Sequence, residues 1–98
     1  MNIIVRSKVK PECVAEVEAG VKKMFAAIEQ AHPQGVRYSS SRLPDGVTFL
    51  AQLELENGVE NPLPSVPAFR EFQENLKRWI AEPPAPEQLT VIASYRSF

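Results

Sequence analysis

The sequence predicts an α+β fold: a four-stranded antiparallel sheet carrying two helices on one face, in the order βαββαβ. Three observations predict it. Four short segments alternate β-branched or aromatic residues with polar ones, and two longer segments repeat apolar residues at steps of three and four. Only short proline- and glycine-containing stretches separate them.

NIIVRSKVK, residues 2–10, alternates and reads as the first strand; Pro11 and Glu12 stop it. From Cys13 to Ala31 the apolar residues Val14, Val17, Val21, Met24, Phe25 and Ile28 form one helical stripe. Glu18 and Lys22, one turn apart on the polar side, read as an ion pair. Gly20 lowers helix propensity and points to close packing against a neighbour. His32, Pro33 and Gly35 end the helix.

VRYSSSR (36–42) and VTFLAQLELE (47–56) read as a hairpin closed by LPDG, with Pro44 second and Gly46 fourth in a type I turn. ENPLPSVPAFREF (60–72) raises the question of a linker between domains. Ser65 reads as an N-cap and Pro67 as a first-turn residue of a helix with an apolar stripe at Phe69, Phe72, Leu76, Trp79 and Ile80. The remaining helix and strand cannot form a core alone, so the stretch reads as a stiff internal connection and residues 1–98 as one domain. PPAP (83–86) is expected to stop the second helix, and LTVIASYRSF (89–98) to be the last strand. Right-handed helical crossovers then give a ferredoxin-like sheet with strand order 4-1-3-2.

A chain of 98 residues with 44% hydrophobic and 23% charged residues reads as globular. Its net charge of −1, without a basic run, argues against nucleic acid or an anionic membrane as partner. Cys13 is the single cysteine, so no intrachain disulfide forms. The N-terminus reads as neither a leader nor a membrane span, which makes a cytoplasmic location the expectation.

The alternation assigns each strand two faces. Ile3, Val5, Val9, Val36, Tyr38, Phe49, Ala51, Leu53 and Leu55 lie under the helices, with Val91, Ala93 and Tyr95 of the expected last strand. The outer face should be polar, yet it holds Ile4, Leu50 and Ile92 ringed by Arg6, Gln52 and Arg96. An apolar centre with a charged rim fits a homodimer packed sheet on sheet.

With these stretches in view, the chain resembles the dimeric α/β-barrel superfamily, in its antibiotic-biosynthesis-monooxygenase-like branch. IIVRSKVKPECVAEVEAGVKKM, GVRYSSSRLPDGVTFLAQLEL and VPAFREFQENL carry the likeness. The resemblance implies a dimeric α/β barrel and either cofactor-independent oxygenation of polyaromatic quinone precursors or haem degradation. Two departures count against parts of that. The region where active oxygenases of the branch carry a tryptophan reads LELEN here. The second helix lacks the histidine that holds haem iron in the degrading members, which disfavours haem. Asn61 and Trp79 align with no catalytic position of the family.

From the residues themselves, Tyr38, Phe49, Phe69, Phe72 and Trp79 are candidates for an aromatic pocket between sheet and helices, taking a small apolar or aromatic ligand. At helical spacing such rings also serve as plain core. His32 is in reach of general-base chemistry by its intrinsic pKa, but its place at a helix end fits a surface role. Cys13, with no paired base, reads as inert. No phosphate loop, dinucleotide fingerprint or metal-spaced set is present, so no cofactor and no metal are expected. An RNA-recognition module of the same topology would need aromatic residues where Ile4, Arg6, Leu50 and Gln52 stand. The alternatives are thus a monooxygenase-like enzyme and a non-catalytic dimeric module.

Overall fold

The structure, a computed structural model, describes residues 1–95. Strand β1 (Asn2–Lys8) leads through a 3₁₀ turn at Pro11–Cys13 into helix α1 (Val14–Ala31). Strands β2 (Val36–Arg42) and β3 (Thr48–Leu55) follow, then a 3₁₀ turn at Leu63–Ser65, helix α2 (Pro67–Trp79) and strand β4 (Ala85–Leu89). The sheet order is β2-β3-β1-β4, with every neighbouring pair antiparallel. This is the ferredoxin-like arrangement read from the sequence. Among the described residues, no helix is long and apolar enough to cross a membrane.

Local chemistry fixes the turns. His32 closes α1 in the left-handed region at φ 47°, its N–H returning to the Ile28 carbonyl at 3.0 Å. In the hairpin, Gly46 N–H donates to the Leu43 carbonyl at 3.0 Å, and Asp45 accepts from the Val47 and Thr48 amides and the Thr48 hydroxyl. Those bonds hold the Asp45 carboxyl below its ordinary value, the Thr48 hydroxyl first among them.

The proline stretch is a rigid internal connection. Leu63 is fully buried and Val66 nearly so, while Asn61 Oδ1 accepts from the Leu63 amide at 3.0 Å. Ser65 is not the N-cap. Its hydroxyl closes the preceding turn onto the Pro62 carbonyl at 2.6 Å, and Val66, without a side-chain cap, precedes Pro67 at the first helical position. Glu18 likewise turns away from Lys22. It pairs with Arg42, which occupies a helix-facing position on β2 and so lies within reach of α1.

The last strand differs from expectation. It is Ala85–Leu89, not 89–98. Leaving α2, the chain bridges Ile80 to Val9 and donates the Ala81 amide to the Lys8 carbonyl at 2.7 Å. It therefore runs back along β1 at once, and β1 ends at Asn2 opposite Leu89. Residues beyond Leu89 have no strand left to pair with. Pro86 is tolerated because β4 is an edge strand with one neighbour.

The core lies between sheet and helices, around Val9, Val17, Met24, Phe49, Phe72 and Trp79. Gly20 lets α2 approach α1. A Cβ there would stand 3.2 Å from the Phe72 ring and 3.3 Å from Trp79.

Candidate functional site

The helix-facing side of the sheet does not meet the helices everywhere. A cavity of about 280 Å³ lies between them. Its floor comes from alternate residues of three strands, Ile3 and Val5 of β1, Tyr38 of β2, and Phe49, Ala51 and Leu53 of β3. The period of two makes this floor, since every second side chain faces the same way. Helix α1 supplies Val17, Val21 and Met24, helix α2 supplies Phe69, Phe72 and Leu76, and the proline connection seals one side with Leu63. The exposed residues Asn61, Gln73 and Pro84 also border it and mark its opening.

Of the five aromatic candidates, Tyr38, Phe49, Phe69 and Phe72 line this cavity and Trp79 does not. Trp79 is the last residue of α2, beside the Val9 end of the sheet. Its ring crosses over Gly20 toward the start of α1, where Nε1–H donates to Glu16 Oε2 at 3.0 Å. It packs edge-on to Phe72, with ring centroids 6.1 Å apart. A buried indole whose N–H has a partner is a core residue.

Polar groups on the cavity are few and uncharged. Ser7 and Ser40 stand at positions where the alternation calls for apolar residues, and both line the cavity. Those two gaps in the pattern were the signal that sequence reasoning passed over. Tyr38 stacks flat on Phe25 at 5.2 Å between centroids and receives the edge of Phe69 at 6.1 Å. Burial pushes its phenol up to about 12.

His32 and Cys13 are absent from the wall. His32 is exposed at the end of α1, and Cys13 is a half-buried free thiol. Among the described residues, no three His, Cys, Asp or Glu side chains gather as metal ligands would.

The opposite face of the sheet carries Ile4, Leu50 and Gln52, all half-buried, and exposed Arg6. The register puts Arg6 beside Leu50 and Ile4 beside Gln52, whose Oε1 accepts from the Ser39 hydroxyl at 3.3 Å. Arg37 and Glu54 form a rim pair at 3.8 Å. Ile92 does not join this group. It follows the end of β4 and is 91% exposed, and the β4 residue facing Ile4 is Glu87. Leu89, opposite Asn2, takes the apolar outward position instead. Arg96 lies outside the described residues.

No family model and no curated protein sequence matches the chain. Solved structures do. A candidate antibiotic biosynthesis monooxygenase from Bacteroides thetaiotaomicron superimposes with a TM-score of 0.79 at 14% identity, covering 100% of this chain and 94% of the other. A candidate antibiotic biosynthesis monooxygenase from Caulobacter crescentus gives 0.75 at 20% identity over 94% and 89% of the two chains. A Mycobacterium tuberculosis protein gives 0.75 at 15% identity over 95% of each. The chain has the antibiotic-biosynthesis-monooxygenase-like fold.

Proposed function

We propose that the chain is a monooxygenase-like protein that takes a small, uncharged, apolar or aromatic molecule into the cavity between sheet and helices, and that it works as a homodimer packed through the outer sheet face. The wall of the cavity carries the reading. It is built almost wholly of aliphatic and aromatic side chains, and none of its lining residues is charged. Placing a carboxylate or ammonium there without a partner is costly, whereas apolar ligand surface gains about 25 cal/mol per Å² on leaving water. The volume sits near the lower end of small-molecule sites, roughly 300–1,000 Å³, which suits a molecule of two or three fused rings.

The chemistry that fits is cofactor-independent oxygenation of an electron-rich aromatic substrate. An activated CH₂ of the substrate is oxidised to a carbonyl. One atom of O₂ enters that carbonyl, and the other leaves as water with the two hydrogens. The substrate supplies the electrons, and the protein contributes orientation and exclusion of water. The proline connection suits that task, because Leu63 holds it rigidly against the cavity. Leu50 and Ile4 at the centre of the outer face, with Arg6, Arg37 and Glu54 about them, support the dimer. A lone thiol at Cys13 suits a reducing, cytoplasmic setting.

A second reading, capture of the same kind of molecule without reaction, is favoured by one feature. Among the described residues, no carboxylate, imidazole or amine stands on the cavity wall to accept a substrate proton. Titrating the protein with naphthols, anthrones and flavonoids while recording heat and oxygen consumption separates the two. Binding with oxygen uptake supports the monooxygenase, and binding without uptake supports capture. A panel in which nothing binds contradicts both.

A further inference from the structure

We propose that Tyr38 determines specificity in this cavity, its hydroxyl donating a hydrogen bond to an uncharged carbonyl oxygen of the bound molecule, as in a ring ketone or quinone. The inference rests on the reading that the cavity takes a small uncharged molecule, and it adds which polar group that molecule must carry.

The geometry points to Tyr38 in three ways. Its ring is clamped, with Phe25 parallel at 5.2 Å and an interplanar angle of 1°, and Phe69 edge-on at 6.1 Å and 68°. The direction of its C–O bond is therefore fixed by packing. The side chain lines the cavity, and the hydroxyl makes no hydrogen bond with any described residue while keeping some accessible surface. A phenol O–H in apolar surroundings gains most from a ligand acceptor, because water no longer serves it. Finally, the phenol is a donor throughout the physiological range, since burial raises its pKa to about 12.

The other two hydroxyls are weaker candidates. Ser7 and Ser40 sit on the floor of the cavity, and a short serine side chain can turn its hydroxyl onto local backbone where a clamped phenol cannot. Asn61 and Gln73 also carry amide donors, but both are exposed at the opening, where water serves them and a ligand acceptor gains less. With no cation among the described residues of the wall, a carboxylate or phosphate in place of the ketone would be stranded.

The test compares 1-tetralone with tetralin, which differ by a carbonyl in place of a ring CH₂, by calorimetric titration of the intact protein. Tyr38→Phe keeps both ring contacts and removes only the hydroxyl. It should weaken 1-tetralone roughly three- to tenfold and leave tetralin unchanged within about twofold, as loss of one neutral hydrogen bond requires. Ser7→Ala and Ser40→Ala should leave the ratio of the two affinities as in the wild type. If tetralin binds and Tyr38→Phe leaves the ratio untouched, or a serine variant alone abolishes it, the assignment to Tyr38 is wrong while the cavity reading stands. If neither compound binds the wild type, the cavity reading and the assignment fall together.

Discussion

Replacing Gly20 tests the packing between the helices and the emptiness of the cavity in one experiment. A Cβ at this position would lie 3.2 and 3.3 Å from two carbons of the Phe72 ring and 3.3 Å from the Trp79 ring, so its neighbours must give by a few tenths of an ångström. Trp79 is held by its bond to Glu16, but Phe72 borders the cavity and has free volume behind it. Gly20→Ala gains about 0.8–1 kcal/mol of helix propensity. The yielding of Phe72 returns part of that, so the variant should be between unchanged and about 1 kcal/mol more stable. Gly20→Val pushes two further methyls into the same rings and loses χ1 freedom. Overpacking of this kind costs about 1–3 kcal/mol, so the two variants should differ by about 2 kcal/mol or more. Urea unfolding at one fixed protein concentration measures the difference, with the slope against denaturant showing that the reference states are unchanged. Equal stability of the two variants would mean that α1 and α2 are farther apart than described. A loss above about 2 kcal/mol for Gly20→Ala would mean that Phe72 has nowhere to move, and that the space behind it is filled.

Three other outcomes follow from single contacts. The Thr48 hydroxyl and the Thr48 and Val47 amides hold the Asp45 carboxyl below its ordinary value in the folded hairpin, so its contribution is present above the ordinary carboxylate value and disappears as pH falls through the lower folded one. Asp45→Ala should therefore lower Tm at pH 7, and the gap from wild type should narrow as the pH is taken down through the carboxylate range; a gap independent of pH would place the effect elsewhere. His32→Gly removes the left-handed strain at φ 47° and should stabilise by roughly 0.5–1 kcal/mol in the same urea assay, whereas a loss would show that the imidazole makes a contact of its own. Leu50→Arg should convert a sedimenting species of twice the 11.0 kDa chain mass into a monomer without unfolding it, and a wild type that already sediments as a monomer would rule out the outer-face dimer.

Much of this architecture could be read from residue patterns because period two and period 3.6 are strong signals. The strand phases placed Ile3, Val5, Ala51 and Leu53 under the helices, and the stripe from Val14 to Ile28 placed α1 over them. The proline connection was legible because Pro67 suits a first helical turn. The last strand was misplaced because Pro84 and Pro86 argued for a break and LTVIASY argued for a strand. The deciding factor, the length of β1 available for pairing, depends on the Val9–Ile80 bridge, a contact between distant parts of the chain. Helical spacing alone groups Trp79 with the cavity, because it gives a stripe and not a depth. Its position is set by Gly20 and Glu16 on another helix. Ser7 and Ser40 carry no readable signal in the sequence alone, because a polar residue interrupting an apolar face reads as noise until a cavity gives it a neighbour.

The claim on which the functional reading depends is that the space above Ala51 receives a molecule. Ala51 lies on the central strand β3 and on the cavity floor, and Ala51→Phe places a ring in that space. Native mass spectrometry of wild type and Ala51→Phe, purified side by side and exposed to the same mixture of aromatic ketones and phenols, reads occupancy directly. Retention of a small molecule by the wild type, and its loss from a folded Ala51→Phe, is the predicted result. Equal retention by both proteins, or none by the wild type across the mixture, would contradict the account.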